Sequence, residues 1–442
     1  MPLSPARIAA FDILLRVARE NAYADALLSS RRYTHLSSAD HALTTELVMG
    51  SLRWQQSLDG EIGSAASKPL LKLDLEVLIA LRLGAYQLRF LERVPPRAAV
   101  HESAGLVKRS GKTSAAAFVN AVLRKLASAP GANSRELLSG DPRSMAEVFS
   151  HPSWLVGRWC ERYGWEHAAA TCAYDQQVPP TAIRVPSSEI KAELDSSGVN
   201  TSAGRLLSTA ARVESRGLTR TRVFSEGRVA IQDEGSQLVA ALVGKGDRIL
   251  DCCAAPGGKA RALADRNVGA VVYAADLHPH RAKLMRKLIP SNQVTVITAD
   301  ALHLPFVRRF DRVLADVPCS GTGTLARNPE IKWRLKPEDL PELQGRQIAI
   351  LKSAFEHVDK GGWAIYSTCS LESEENEDVV KAALASRSDF RLLDCSQELA
   401  RLQASGELTW EHPESLLSGP YLRTIPGVHP CDGFFAAILR RE

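Results

Sequence analysis

From about residue 231 to the end, short apolar runs alternate with helical segments, and each run stops at a polar residue. Arg248-Ile249-Leu250 stops at Asp251, Val271-Val272-Tyr273-Ala274-Ala275 at Asp276, and residues 294–299 at Asp300. Arg312-Val313-Leu314-Ala315 stops at Asp316, and Trp363-Ala364-Ile365-Tyr366 at Ser367-Thr368-Cys369. Residues 433–439 supply a last strand. Strands spaced by helices predict a parallel, doubly wound sheet. Ligands of such sheets collect beyond the carboxyl ends of the strands. Five polar strand ends therefore mark a binding edge.

The turn after the first of these strands reads Asp251-Cys252-Cys253-Ala254-Ala255-Pro256-Gly257-Gly258-Lys259. Small residues let backbone approach a ligand closely, and the helix that follows offers amide donors to an anionic group. A P-loop requires Gly where Cys253 stands and Ser or Thr where Ala260 stands, so it fails twice. The Gly-x-Gly-x-x-Gly dinucleotide fingerprint is absent from this turn. Asp276 is placed to accept from ribose hydroxyls, and Asp300 to meet an adenine amine. A single strand-end aspartate is more often a helix N-cap. Three in succession beside a glycine turn favour an adenosyl ligand held by residues 253–259, Asp276 and Asp300.

Two cysteines stand at the same edge. Cys319 lies in Asp316-Val317-Pro318-Cys319-Ser320-Gly321-Thr322-Gly323 and Cys369 in Tyr366-Ser367-Thr368-Cys369-Ser370. A lone strand-end cysteine is usually a small buried hydrophobe. Two thiols beside a methyl-donor site suit a harder task, methylation of a pyrimidine at carbon 5. That carbon is a poor nucleophile until a thiolate adds at carbon 6 and makes the ring an enamine. Asp316 is placed near the ring nitrogen or exocyclic amine to stabilise the adduct. Spacing alone leaves open which of the two thiols attacks. Cys160, Cys172, Cys252, Cys253, Cys395 and Cys431 read as packing residues.

Residues 1–145 read as all-helical, with Ile8, Phe11, Leu15 and Ala18, then Leu75, Leu78, Ile79 and Tyr86, at helical spacing. Ser37-Ser38-Ala39-Asp40 and Val94-Pro95-Pro96 punctuate the helices, and residues 130–134 look like the start of a linker. Residues 146–230 read as a small α+β connector, leaving 231–442 for the sheet domain. The apolar stretch 70–91 is interrupted by Asp74, Glu76, Arg82 and Arg89, so it predicts a buried helix and not a membrane span. The N-terminus lacks the basic and apolar regions of a signal peptide, and no Cys-x-x-Cys pair suggests a metal site. A cytosolic protein with free thiols, no metal and no membrane partner is expected. Net charge is only +5, but residues 71–125 hold ten Lys/Arg against four Asp/Glu. That surplus predicts a phosphate footprint, with Arg82, Arg89, Arg93, Arg97, Lys108, Arg109, Arg124 and Lys125 as its candidates. Lys332, Trp333 and Arg334 are further candidates for RNA contact.

The motifs quoted, together with His151-Pro152-Ser153-Trp154-Leu155-Val156-Gly157-Arg158-Trp159, Gln232-Asp233-Glu234-Gly235-Ser236-Gln237 and Asn328-Pro329-Glu330-Ile331-Lys332-Trp333, resemble the bacterial RsmB (Sun/Fmu) family of ribosomal RNA cytosine-5 methyltransferases. The resemblance spans essentially the whole chain. It implies an all-α NusB-like N-terminal domain, the small connector, and an α/β Rossmann-like class I methyltransferase domain with a mostly parallel seven-stranded sheet. It implies S-adenosyl-L-methionine as cofactor and small-subunit ribosomal RNA, free or early in assembly, as partner of a monomeric enzyme. It also implies roles that spacing does not supply: Cys369 is the nucleophile and Cys319 helps to expel the enzyme. Cys253, Ala254, Ala255, Pro256, Gly257, Gly258, Lys259, Asp276, Asp300 and Asp316 line the cofactor and base pocket. Ala260, Val317 and Arg184-Val185-Pro186 depart from the family's usual Thr, Ala and Arg-Val-Asn. A transfer RNA cytosine methyltransferase and a non-catalytic assembly factor with a relict cofactor fold are the rival readings.

Overall fold

The computed structural model describes residues 3–129, 140–289 and 291–442; the expected linker start at 130–134 lies outside them. The chain forms two compact units. One comprises Met1–Val178 with Leu325–Leu335, the other Pro179–Thr324 with Lys336–Glu442.

The first unit is helical. Its main helices are Pro5–Glu20, Ser38–Arg53, Gln55–Ala65, Leu75–Phe90, Pro96–Arg109 and Ala116–Ser128. Their apolar stripes meet in a core that includes Phe11, Ile13, Leu47, Ile62, Leu81 and Leu123. The punctuation acts as the sequence implies. The Ser37 hydroxyl accepts from the Asp40 amide, and Pro96 sits in a first turn, where its missing amide costs nothing. Residues 75–90 form one buried-face helix, and no described helix is long and apolar enough to cross a membrane. A longer helix, Ser153–Asp175, is broken at Gly164 (φ 81°, ψ 165°), a left-handed φ that a side chain would resist.

The second unit carries two sheets. A small antiparallel sheet has strands β1 (Thr181–Arg184), β2 (Thr201–Ala203), β3 (Ala210–Val213) and β4 (Ala230–Ile231) in the order β2-β3-β1-β4. Helix Ser188–Ser196 contributes Leu194 to its core beside Ile183 and Ala211. The large sheet has β5 (Arg248–Asp251), β6 (Val271–Asp276), β7 (Val294–Thr298), β8 (Phe310–Asp316), β9 (Val358–Thr368), β10 (Phe390–Leu393), β11 (Leu417–Ser418), β12 (Tyr421–Arg423) and β13 (Phe435–Arg441). Its order is β11-β12-β13-β9-β8-β5-β6-β7, with β10 also on β13.

Among the described residues the expected seven mostly parallel strands are thus nine, of which β5 to β9 are mutually parallel and the rest antiparallel. The reason is local. Only Gly419 and Pro420 join β11 to β12, and so short a connection permits only antiparallel pairing. Helices cover both faces, burying Leu238, Leu263 and Ile438 in one core and Val313, Phe355 and Ala437 in another. Register places Asp316 of β8 opposite Ser367 of β9, so the ends of both strands reach one edge.

Candidate active site

The turn after β5 is shaped by close packing. Gly257 adopts φ 108°, and a Cβ there would lie 2.7 Å from the Ile289 side chain. Helix Gly258–Arg266 follows, leaving its first amides available to a ligand. Asp251 is fully buried, and no side chain hydrogen-bonds either carboxylate oxygen. Burial, then the nearby Asp316 carboxylate, raises its pKa to about 8, against the pull of Lys259. A buried carboxylate that no side chain meets lacks a cationic or hydroxyl partner. The amino-acid ammonium of an adenosylmethionine fits that need, and the small residues Ala254, Ala255 and Gly258 leave room beside it.

Asp276 ends β6 and is buried; its Oδ1 accepts from the His278 amide at 2.8 Å. Asp300 lies two residues beyond β7, half-exposed, and its Oδ1 accepts from the Leu302 amide at 3.0 Å. Both aspartates therefore also do the turn-capping work expected of such residues, each with one oxygen. Cys253 is pushed well above its ordinary range by burial and then by the Asp251 charge, which suits lining and not attack.

Beyond β8 and β9 the two remaining cysteines meet. Cys319 Sγ and Cys369 Sγ are 3.3 Å apart, both half-buried. The hydrogen bond to Cys369, reinforced by burial, raises the Cys319 pKa, so Cys319 is held as a thiol. Asp316 accepts from Lys259 Nζ at 2.8 Å and from Ser367 Oγ at 2.6 Å. Burial alone would lower the Lys259 pKa, but Asp316 outweighs it and the ammonium titrates above its usual value. A thiolate at Cys369 acts on Lys259 in the same direction. The loops themselves are stitched together by backbone. The Gly323 amide donates to the Cys369 carbonyl at 2.9 Å, and the Gly433 amide to the Gly323 carbonyl at 2.7 Å. A Cβ on Gly323 would fall 2.3 Å from the Gly433 carbonyl oxygen, so only glycine permits this approach.

Three family models match in succession: the NusB family over residues 4–128, the ferredoxin-like domain of RsmF/B-like methyltransferases over 151–217, and 16S rRNA methyltransferase RsmB/F over 240–440. The chain is 34% identical to the probable ribosomal RNA small subunit methyltransferase B of Bacillus subtilis, across the full length of both. The chain belongs to the RsmB/F family of methyltransferases. The ribosomal RNA small subunit methyltransferase B of Pseudomonas putida is 35% identical, covering 83% of this family member and 86% of the relative. Among solved structures, a methyltransferase homolog from Pyrococcus horikoshii is 27% identical over 69% of this chain and all of its own, with a TM-score of 0.55. NSun6 from the same organism, solved with SFG, shares the fold at 19% identity and a TM-score of 0.54, covering 66% and 98% of the two chains.

Other RsmB/F motif residues lie elsewhere. Lys332, Trp333 and Arg334, expected to touch RNA, are packed into the helical unit. Trp333 Nε1 donates to the Leu52 carbonyl at 2.5 Å, Arg334 donates to the Asn21 and Ala22 carbonyls, and Lys332 is 1% exposed. Their common reason is that Leu325–Leu335 folds with that unit, where Arg53 also donates to the Ala326 carbonyl at 2.9 Å. Of the basic candidates, Arg82, Arg89 and Arg109 pair with Asp59, Glu61 and Asp12. Arg93, Arg97, Lys108, Arg124 and Lys125 are exposed, with no carboxylate partner among the described residues; Lys125 donates to the Ser64 carbonyl at 3.3 Å. Sequence reasoning counted Asp251 among the three strand-end aspartates but gave it no contact of its own, and it placed Lys259 among the cofactor residues without its bond to Asp316. It passed over Glu375, whose acidic neighbours Glu372, Glu374 and Glu377 disguise it as part of a solvated run.

Proposed function

We propose that this RsmB/F member methylates carbon 5 of a cytosine in small-subunit ribosomal RNA through a covalent link to Cys369. The observation that carries the reading is the 3.3 Å approach of the two thiols beside the Lys259–Asp316 pair. S-adenosylmethionine, when bound, supplies the electrophilic methyl group. Residues 253–258, Asp251, Asp276 and Asp300 are the groups to hold it, in the turn and strand ends described above.

The rest of the chemistry belongs to the chain. The Cys369 thiolate adds to carbon 6 of the ring, and the electron pair of the 5,6 double bond moves toward carbon 5. Asp316, steadied by Lys259 and Ser367, accepts a hydrogen bond from the exocyclic amine and so holds the ring's nitrogen edge in place. Once carbon 5 has gained its methyl, loss of its proton to water restores the double bond and expels Cys369. Cys319, held as a thiol within reach of the departing sulfur, returns a proton to it. The target base must leave its stack to reach these groups. The helical unit, with Arg93, Arg97, Lys108 and Arg124 on its surface, supplies sequence-independent affinity for phosphate. We read residues 1–145, 146–230 and 231–442 as the RNA-binding, connecting and catalytic parts of a cytosolic monomer.

The test uses RNA tritiated at cytosine carbon 5. Release of tritium to water that requires S-adenosylmethionine, with 5-methylcytidine as product, is the expected result. Parallel assays on small-subunit ribosomal RNA and transfer RNA separate the two substrate classes, and a preference for transfer RNA rejects the ribosomal assignment. Methylation without tritium loss rejects carbon 5.

A further inference from the structure

The two reactive loops end on one buried anion. Glu375 is fully buried in the short turn Ser373–Glu375 after β9. Its Oε1 accepts from the Ser320 amide and from Gln347 Nε2, both at 2.8 Å. Its Oε2 accepts from the Ser370 hydroxyl at 2.5 Å and from the Ser320 hydroxyl. Ser320 follows Cys319 and Ser370 follows Cys369, so a single carboxylate grips the residue after each thiol. Gln347 extends the grip: its Nε2 also donates to the Pro318 carbonyl at 3.0 Å, on the other side of Cys319. The Tyr366 hydroxyl donates to the Glu375 carbonyl at 2.6 Å, tying the same turn to β9.

We infer that Glu375 is a positioning residue that holds Cys319 and Cys369 in register for the reaction proposed above. It touches neither thiol and no reacting atom. Strand pairing fixes β8 against β9 only up to Asp316 and Ser367, whereas both cysteines lie beyond that pairing. The Gly323–Cys369 backbone bond joins the two loops at one point, and four donors converging on one carboxylate fix the residue after each thiol. The negative charge adds a second effect, since it acts on Cys319 in the direction that keeps its proton. The inference rests on the carbon 5 reading, yet its test fails separately.

Three variants are compared with wild type for kcat, for KM toward RNA and for binding of S-adenosylhomocysteine. Glu375→Ala removes the grip. It is expected to lower kcat by about 100-fold, the scale of a misplacement near 1 Å, with KM and cofactor affinity unchanged. Glu375→Gln keeps the shape, and its amide can face the two hydroxyls, which can reverse as acceptors. It is expected to recover kcat to within about fivefold of wild type. The Ser320→Ala/Ser370→Ala pair removes two donors without touching the carboxylate and decides the matter if Glu375→Ala does not fold; a drop in kcat alone is expected. Wild-type kcat in folded Glu375→Ala or in the serine pair overturns the inference, as does a loss carried by KM or a Gln variant no better than Ala. If wild type itself makes no 5-methylcytidine, it is the carbon 5 reading that falls.

Discussion

Asp251 is a buried carboxyl with no side-chain hydrogen-bond partner, at the place proposed for the cofactor's ammonium. With a pKa near 8, it holds its proton at pH 7 in the ligand-free protein. An ammonium beside it favours the carboxylate and lowers that value. Cofactor binding near pH 7 should therefore release a proton, and affinity for S-adenosylhomocysteine should rise as pH increases from about 6 to 8. Calorimetry in buffers of different ionisation enthalpy measures this; binding without proton release contradicts it. Asp251→Asn should weaken binding by roughly 10- to 100-fold, the range of a charge-assisted hydrogen bond. Lys259 offers a complementary test. Its bond to Asp316 puts it with the groups proposed to hold the base, so Lys259→Met should lower kcat by at least about 100-fold while cofactor binding stays within a few-fold of wild type. A dominant loss of cofactor affinity would return Lys259 to the cofactor turn.

At the scale of elements, the segment Leu325–Leu335 shows what a motif can hide. Lys332 and Trp333 read as an RNA-facing pair because a cation beside an aromatic is a common nucleic-acid signal. The structure buries Lys332, and burial pushes its pKa down to about 7, opposed by Asp175. In the unfolded chain the group keeps its proton up to about pH 10.5. Between those values the unfolded state binds more protons, so stability rises with pH; below about 7 the cost of the buried charge is at its full size. Lys332→Met should stabilise the helical unit at pH 7 by about 1–4 kcal/mol and flatten that slope between pH 7 and 10. Hydrogen exchange in helix Ser153–Asp175 reads both, and a destabilised variant would mean that the ammonium has a partner worth more than its burial costs. The parallel strands were legible because apolar runs with polar ends follow from burial on two faces. Capped helices were legible because Ser37 and Pro96 act locally. Glu375 and the partners of Lys259 were not, because each depends on contacts between segments tens of residues apart, and a single sequence carries no signal of that distance.

At the scale of the molecule, the basic surplus in residues 71–125 is smaller than a count suggests. Arg82, Arg89, Arg109 and Lys112 are engaged with Asp59, Glu61, Asp12 and Asp74. The cations left for the proposed phosphate footprint are Lys72, Arg93, Arg97, Lys108, Arg124 and Lys125. Replacing Arg93 and Arg97 by Ala should reduce the slope of log affinity against log salt by about one per residue. Arg82→Ala should leave the slope unchanged and lower stability instead. Equal slopes for the two sets would contradict the division. The covalent step proposed for Cys369 leaves a species that can be trapped. Cys319→Ala protein is incubated with substrate RNA and S-adenosylmethionine, denatured, and digested for peptide mass spectrometry. The expected result is a stable protein–RNA adduct carrying a methylated cytosine on the peptide that contains Cys369, absent when Cys369 is also replaced. An RNA link at any other residue, or turnover that survives loss of Cys369, would contradict it.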